Sequence, residues 1–229
     1  MPAASTTLRT IAASAIALLT VTGCQALDDA GRAMGRADIV NDLAARMDRA
    51  LGLTYSAEYQ LGGGRTALIV QAQDPARSAY QWPGGKLTVT AEATTHCDAE
   101  GERTTCTLDA PPAANSKPSV VVFAAAEREG QVTPPMVMGL LTTAALDPGA
   151  VITQSDTTVA GLLATCVDVR QDGEHFSACV TGEGALGSFT GRIDGEPVEL
   201  ALSRYQEQVD GAAFELPPGA GIVDRRPDS

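Results

Sequence analysis

Two pairs of cysteines, each placed symmetrically about a tight-turn sequence, are the strongest constraint on how this chain folds. Gly101-Glu102 has the glycine-first order of a type II′ hairpin turn. Counting outward from that turn places Cys97 opposite Cys106 at a non-hydrogen-bonded pair, where facing side chains are closest and a disulfide fits. We therefore predict an antiparallel hairpin closed by a Cys97–Cys106 disulfide.

The second cysteine pair follows the same geometry. Asp172-Gly173 is a type I′ turn signal, and counting outward from it places Cys166 opposite Cys179. The four cysteines are the even set that remains when Cys24 is set aside, which is typical of an exported, disulfide-bonded chain. A metal site that includes His96 is the alternative use of these cysteines, but no Cys-x-x-Cys spacing supports it.

Much of the chain has the pattern of antiparallel strands. Apolar and polar residues alternate over Leu53–Leu61, which is the period of a half-buried strand, and Gly62-Gly63-Gly64 follows as a turn. Asp194-Gly195 is a further type I′ signal. The other predicted strands are Thr66–Ala72, Ser78–Trp82 and Lys86–Thr94 in the first half, and Val151–Ser155, Thr158–Val169, His175–Thr181, Ala185–Ile193 and Glu196–Tyr205 in the second.

Three segments are predicted to be helical. The first runs from a cap at Asp38 to Gly52, because its apolar residues recur at spacings of three and four. Ser119–Glu129 has both strand and helix character, and we favour a helix closed by Gly130. The third begins after a Thr133 cap, ends before Asp147-Pro148-Gly149 and is apolar nearly all round, which predicts burial on several sides.

The N-terminal segment has the organisation of an export signal. Arg9 precedes an apolar run that ends at Val21, followed by Thr22-Gly23-Cys24. The run is shorter than the roughly 20 apolar residues of a membrane span. A cysteine directly after the small residue resembles the lipobox of bacterial lipoproteins, which implies that Cys24 becomes the first mature residue and carries acyl chains. The alternative is an ordinary secretory signal with an incidental cysteine.

These features predict four regions and an extracytoplasmic, lipid-anchored location. Residues 1–23 are a lipoprotein signal peptide, 24–37 a lipidated tether, 38–223 a single domain and 224–229 a flexible tail, with fraying expected from Pro217 onward. The formal net charge is −12, with 16 basic and 28 acidic residues. This balance argues against nucleic acid as a partner and against a polybasic grip on lipid, so attachment to the membrane would depend on Cys24.

The sequence lacks the residue sets of common enzymes. His96 and His175 are the only histidines, and no hydrolase, zinc-protease or nucleotide-binding P-loop motif is present. Gly182-Glu183-Gly184-Ala185-Leu186-Gly187 matches Gly-x-Gly-x-x-Gly, but it lies between two predicted strands, so we interpret it as a turn. We expect no catalytic residues, no cofactor and no metal.

The order of elements predicts an α+β fold. Strands joined by hairpins form a meander, and a curved antiparallel sheet (an open half β-barrel) accommodates them, with the N-terminal helix and the helical insert covering its concave side. The order then resembles that of the LolA/LolB and mycobacterial LprG/LppX-type lipoprotein carriers. Two segments add to this resemblance: Gln73–Arg77 continued by Tyr80-Gln81-Trp82, and the closing Phe214–Val223 segment. The cysteine hairpins depart from the bacterial LolA pattern.

The family resemblance implies an apolar cavity that holds acyl chains. Apolar strand faces and the apolar third helix could line such a cavity, or they could form a filled core. The first possibility predicts a membrane-anchored lipoprotein that binds or carries lipid, and the second an accessory lipoprotein that binds a protein partner in the cell envelope. The candidate cavity residues are Tyr55, Tyr59, Tyr80, Trp82, Met136, Val137, Leu140 and Leu141.

Overall fold

The computed structural model describes residues 31, 33–171 and 173–227. The predicted signal peptide, Cys24 and most of the predicted tether lie outside these residues, as does Asp172. The described residues contain three α-helices: α1 over 33–50, α2 over Pro118–Arg128 and α3 over Pro134–Leu146. None of the helices in the described ranges is long and apolar enough to cross a membrane.

Twelve strands form one curved, unclosed sheet, which confirms the predicted α+β half-barrel. All neighbouring strands are antiparallel except β12 and β6, which are parallel. Their order across the sheet is β12-β6-β5-β4-β3-β2-β1-β11-β10-β9-β8-β7, so β12 and β7 are its edges. The strands are β1 Tyr55–Leu61, β2 Arg65–Gln73, β3 Ala76–Trp82, β4 Gly85–Val89, β5 Thr94–Glu100, β6 Arg103–Asp109, β7 Val151–Val159, β8 Leu162–Gln171, β9 Glu174–Thr181, β10 Leu186–Ile193, β11 Glu196–Gln206 and β12 Gly221–Asp224.

The main core lies between the helices and the concave face of the sheet. Alternation along β1 turns Tyr55, Ala57 and Tyr59 toward this core, as the period-two pattern predicts. Leu43 of α1 and Phe123 of α2 pack into the same cluster and are at most 1% exposed. A second, smaller cluster on the opposite, convex face contains Val70, Ala72, Ala79 and Phe214.

Both predicted disulfides are present at the predicted register. Cys97 pairs with Cys106 across β5 and β6, and their Cα atoms are 4.0 Å apart. Cys166 pairs with Cys179 across β8 and β9, with Cα atoms 3.9 Å apart. The two hairpin turns therefore determine the cysteine pairing, because counting from each turn reaches the facing pair.

The sequence prediction missed the turn between β7 and β8. We predicted separate strands Val151–Ser155 and Thr158–Val169, but one strand runs from Val151 to Val159 and the chain turns at Ala160-Gly161. Both turn residues have positive φ angles, 50° and 82°. An alanine in that conformation carries no Asn or Asp signal, which is why the pattern did not reveal the turn.

Three boundaries also differ from the prediction. Helix α1 extends back through residues 33–37, so Asp38 is not its cap and this part of the predicted tether is helical. Strand β4 ends at Val89 instead of continuing to Thr94, because Thr90–Ala93 forms a turn. The segment expected to fray after Pro217 contains β12, which gains backbone hydrogen bonds by pairing in parallel with β6.

Candidate functional site

The deep part of the half-barrel is a packed core. Of the candidate cavity residues, Tyr55, Tyr59, Tyr80, Val137 and Leu141 are at most 2% exposed and belong to one cluster. These five residues therefore belong to a filled core, which was the alternative to an open cavity. A ligand-sized space on this side of the sheet is found beside this core, toward the opening of the half-barrel.

Such a space lies at the mouth, and we call it the mouth cavity. Its volume is about 340 Å³, and it is bounded by β1, β3 and β11 on the sheet and by the α2–α3 loop, residues 129–133. Two of the candidate residues, Tyr80 and Trp82, lie in its wall. Its apolar lining consists of Leu61, Tyr80, Trp82, Val132, Val198 and Leu200.

A buried hydrogen bond attaches the α2–α3 loop to the sheet. The Tyr80 hydroxyl donates to the carbonyl oxygen of Val132 at 2.9 Å. Burial raises the pKa of the Tyr80 phenol above its ordinary value. The ring of Trp82 packs edge-on against Tyr80, with centroids 6.1 Å apart. The loop and β3 thus form one continuous wall of the mouth cavity.

Charged groups are confined to the rim of the mouth cavity. Arg65 borders it, is exposed, and donates from Nε to the carbonyl oxygen of Gly62 at 3.1 Å. Glu199 of β11 also borders it. The site therefore combines an apolar interior with ionic groups where the cavity meets solvent.

The remaining candidates, Met136 and Leu140, are half-buried on α3. Thr133 caps this helix by accepting a hydrogen bond from the backbone N–H of Met136, as predicted. The Thr133 hydroxyl also donates to Glu127 of α2, which joins the two helices. Met136 and Leu140 therefore lie on the helix that follows the cavity loop and are absent from the mouth cavity's own lining.

Both histidines lie close to carboxylates: His175 is exposed, and His96 is half-buried beside the Trp82 ring. His175 Nε2 lies 2.7 Å from Asp168, and His96 Nε2 lies 3.3 Å from Asp98. Hydrogen bonding to His175 lowers the pKa of the Asp168 carboxyl. Within the described ranges, no group of three His, Cys, Asp or Glu side chains is arranged to hold a metal ion.

The Gly-x-Gly-x-x-Gly segment positions α1, a role that sequence reasoning missed. Gly184 lies in the β9–β10 connection with φ +91°, and a Cβ there would overlap the carbonyl oxygen of Arg46 and crowd Ala50. Close approach of a helix backbone requires glycine at this point. Arg46 also donates to the Thr165 hydroxyl at 3.1 Å, so α1 is held against β8 as well.

No protein-family model and no curated protein sequence matches the chain. Among solved structures, MucB matches with a TM-score of 0.50 and 13% identity over 82% of this chain, and the chain spans 66% of MucB, just under two thirds of its length. MucB in complex with MucA(peri) matches with a TM-score of 0.48 and 10% identity, covering 80% of this chain and 62% of that one. LprF from Mycobacterium bovis matches with a TM-score of 0.41 and 12% identity, covering 81% and 98%.

The likeness to MucB is one of fold. At 13% identity it extends across the half-barrel without close sequence similarity. The fold is the LolA/LprG type that the sequence resemblance predicted.

Proposed function

We propose that this chain is an extracytoplasmic lipoprotein that binds one acyl chain of a phospholipid in the mouth cavity. The observation that carries the proposal is a cavity of about 340 Å³ with an apolar wall and a cationic side chain at its opening. That volume is within the range of protein sites for small ligands, roughly 300–1,000 Å³. Anchoring through acyl chains on Cys24 would hold the cavity close to its lipid source.

The apolar wall suits an acyl chain better than a polar ligand. Trp82, Val132 and Leu200 contribute apolar surface, and burying such surface against a methylene chain stabilises the complex by about 0.8 kcal/mol for each CH₂ group. The Tyr80 hydroxyl already donates its hydrogen bond to the Val132 carbonyl oxygen, so it is not available to donate to a polar ligand.

Arg65 supplies the complementary charge for a phosphate head group. Its guanidinium is exposed at the rim, and only its Nε contact to Gly62 is seen among the described residues, which leaves terminal N–H groups for an anion. Glu199 borders the same rim, so the phosphate would lie on the Arg65 side of the opening, with the acyl chain directed inward.

Trp82 provides the test, because it is the only tryptophan of the chain and lies in the cavity wall. Phosphatidylglycerol vesicles with brominated acyl chains should quench its fluorescence saturably.

Val198→Phe fills the cavity and should weaken quenching by about tenfold, whereas Val151→Phe, on exposed strand β7, should leave it unchanged. Arg65→Gln should weaken quenching by a smaller factor, and Arg103→Gln, at the first residue of β6, is its control. Equal quenching in Val198→Phe and the unsubstituted protein would contradict the proposal.

Binding of a protein partner in the envelope is the second candidate function. Leu146 at the end of α3 is 78% exposed and Val151 at the start of β7 is 56% exposed, so an apolar surface lies at this connection. Native mass spectrometry of the protein from its own host separates the two functions. A co-purifying lipid near one per chain supports lipid binding; a lipid-free mass together with unquenched Trp82 supports the partner.

A further inference from the structure

A second cavity lies on the convex face of the sheet, beneath a C-terminal segment that we call the strap, residues 211–218. The strap crosses the outer side of the β3–β6 strands, and Phe214 anchors it in the convex cluster with Val70 and Ala79. Between the strap and the strands is a hollow of about 370 Å³, which we call the strap cavity.

The strap cavity contains a buried lysine. Lys86 of β4 is 8% exposed, and its Nζ donates to the backbone carbonyl oxygen of Glu215 at 2.6 Å. Among the described residues, no carboxylate forms a salt bridge with this ammonium. Buried lysines are rarely left with a neutral acceptor alone, because removing an ammonium from water is costly unless an opposite charge compensates it. Burial lowers the pKa of the Lys86 ammonium, and the charge of the Glu215 carboxylate, which is too far away to form a salt bridge, opposes that shift only in part.

The rest of the lining limits the kind of ligand that fits. Trp82, Pro83, Leu216 and Pro217 contribute apolar surface, and Gln81 and Thr104 add neutral polar groups. Glu215, whose side chain is exposed, is the acidic residue of the lining, and Lys86 is the only cationic side chain among the described residues that line the cavity. Because the Glu215 carboxylate forms no salt bridge with Lys86, a monoanion can still pair with the ammonium, whereas a dianion would keep an uncompensated charge in an acidic protein.

We propose that the strap cavity binds a monocarboxylate with a compact apolar body, whose carboxylate pairs with the Lys86 ammonium. The carboxylate of the ligand supplies a counter-charge at ion-pair distance, which Glu215 does not, and the apolar body packs against Trp82 and the strap prolines. This site is on the opposite face of the sheet from the mouth cavity, so it does not depend on the proposed lipid function. Trp82 lies at the β3–β4 turn and borders both cavities, so its fluorescence cannot separate them.

Lysine NMR separates them, because the chain has only two lysines, Lys86 and Lys117. Titrating the ¹³C-lysine-labelled full chain with phenylacetate should shift the Lys86 ε-carbon signal saturably and raise the pKa of its ammonium, since the bound carboxylate favours the charged form. The signal of exposed Lys117 should not change. Phenylacetamide, which has the same shape without the charge, should have no effect at the same concentrations.

Calorimetry with variants provides the second measurement. Lys86→Met should weaken phenylacetate binding by about tenfold or more, the loss expected for a hydrogen bond to a charged group. Lys86→Arg, which keeps the charge, should retain more binding than Lys86→Met. Lys117→Met is the matched control and should bind as the unsubstituted protein does. If phenylacetate leaves the Lys86 signal and its pKa unchanged in the unsubstituted protein, the proposal is wrong, whatever the variants do.

Discussion

The hydroxyl of Tyr80 and the carbonyl oxygen of Val132 are 2.9 Å apart, and this hydrogen bond joins the middle of the sheet to the loop between α2 and α3. The two residues are 52 positions apart in sequence. Tyr80 is fully buried, and Val132 is 5% exposed. The contact therefore fixes the position of the loop that borders the mouth cavity.

Tyr80→Phe should loosen the loop without opening the core. The Val132 carbonyl would lose its donor in a buried position, which costs about 1–3 kcal/mol of unfolding free energy. Hydrogen exchange of the amides around Gln131 should become faster, while exchange in β8 and β9 should change only with global stability. Tyr205→Phe, at a half-buried position, is the matched control. Unchanged exchange in the loop would show that the hydrogen bond does not hold it.

Gly184→Ala should displace α1 from the sheet. The new methyl group would meet the Arg46 carbonyl, and alanine is strained at φ +91°. We expect a loss on the order of 3 kcal/mol in unfolding free energy, measured by urea denaturation. Gly182→Ala is the control, because a methyl group there has an ordinary contact of 3.8 Å with the Leu163 carbonyl. Equal effects of the two substitutions would contradict this role for Gly184.

Removing the second disulfide should destabilise the protein without changing its fold. The Cys166→Ala/Cys179→Ala pair opens a link with a sequence separation of 13 residues, and the chain-entropy estimate for such a loop is about 3 kcal/mol. The single variant Cys166→Ser should expose one titratable thiol, at Cys179, beyond those of the unsubstituted protein. Alkylation mapped to Cys97 or Cys106 in that variant would show that the pairing differs from the structure.

The buried tyrosines should make the protein sensitive to alkaline pH. Burial is the main cause that raises the pKa values of Tyr55, Tyr59 and Tyr80 above the ordinary value of about 10. Below pH 10 both the folded and the unfolded chain keep these phenols protonated, so this contribution to stability is fully present. Above pH 10 the unfolded chain ionises first, and the unfolding free energy should fall by about 1.4 kcal/mol per pH unit for each tyrosine, about 4 kcal/mol for the three.

Urea denaturation between about pH 9 and about pH 11, roughly one unit either side of the ordinary phenol pKa, measures that slope. Tyr59→Phe should reduce it by about a quarter to a third, because one of the three buried phenols is lost while half-buried Tyr205, whose pKa is also raised by burial, still contributes. A slope that is the same in Tyr59→Phe would show that other groups control the alkaline transition.

Local sequence patterns predicted the hairpins and the helix cap, in which the interacting residues lie close together in the chain. The turns at Gly101 and Gly173 place each cysteine opposite its partner, and the Thr133 cap begins α3 as predicted. Ala160-Gly161 escaped prediction because its turn conformation has no characteristic residue at the first position. The Ser119–Glu129 ambiguity was resolved as helix α2, whose buried Val122 and Phe123 pack on the concave face.

The sequence predicted the positions of the two cavities less well than it predicted the fold. Of the predicted cavity residues, Tyr80 and Trp82 border the mouth cavity, but the same pattern marked Tyr55 and Tyr59, which are packed in the core. Period-two alternation tells which face a side chain occupies and says nothing of whether another element fills the space opposite. Lys86 gave no signal, because it is buried by a strap almost 130 residues later in the chain.

By itself the sequence determined most of the strands, the registers of the two cysteine hairpins and both disulfides, because these follow from backbone geometry within about ten residues of each turn. Only the tertiary structure decided where empty space remains. The mouth cavity exists because the α2–α3 loop meets three strands at the rim, and the strap cavity exists because the chain returns over Lys86 to pair β12 with β6. Both depend on contacts between segments far apart in the chain, which residue periodicity does not encode.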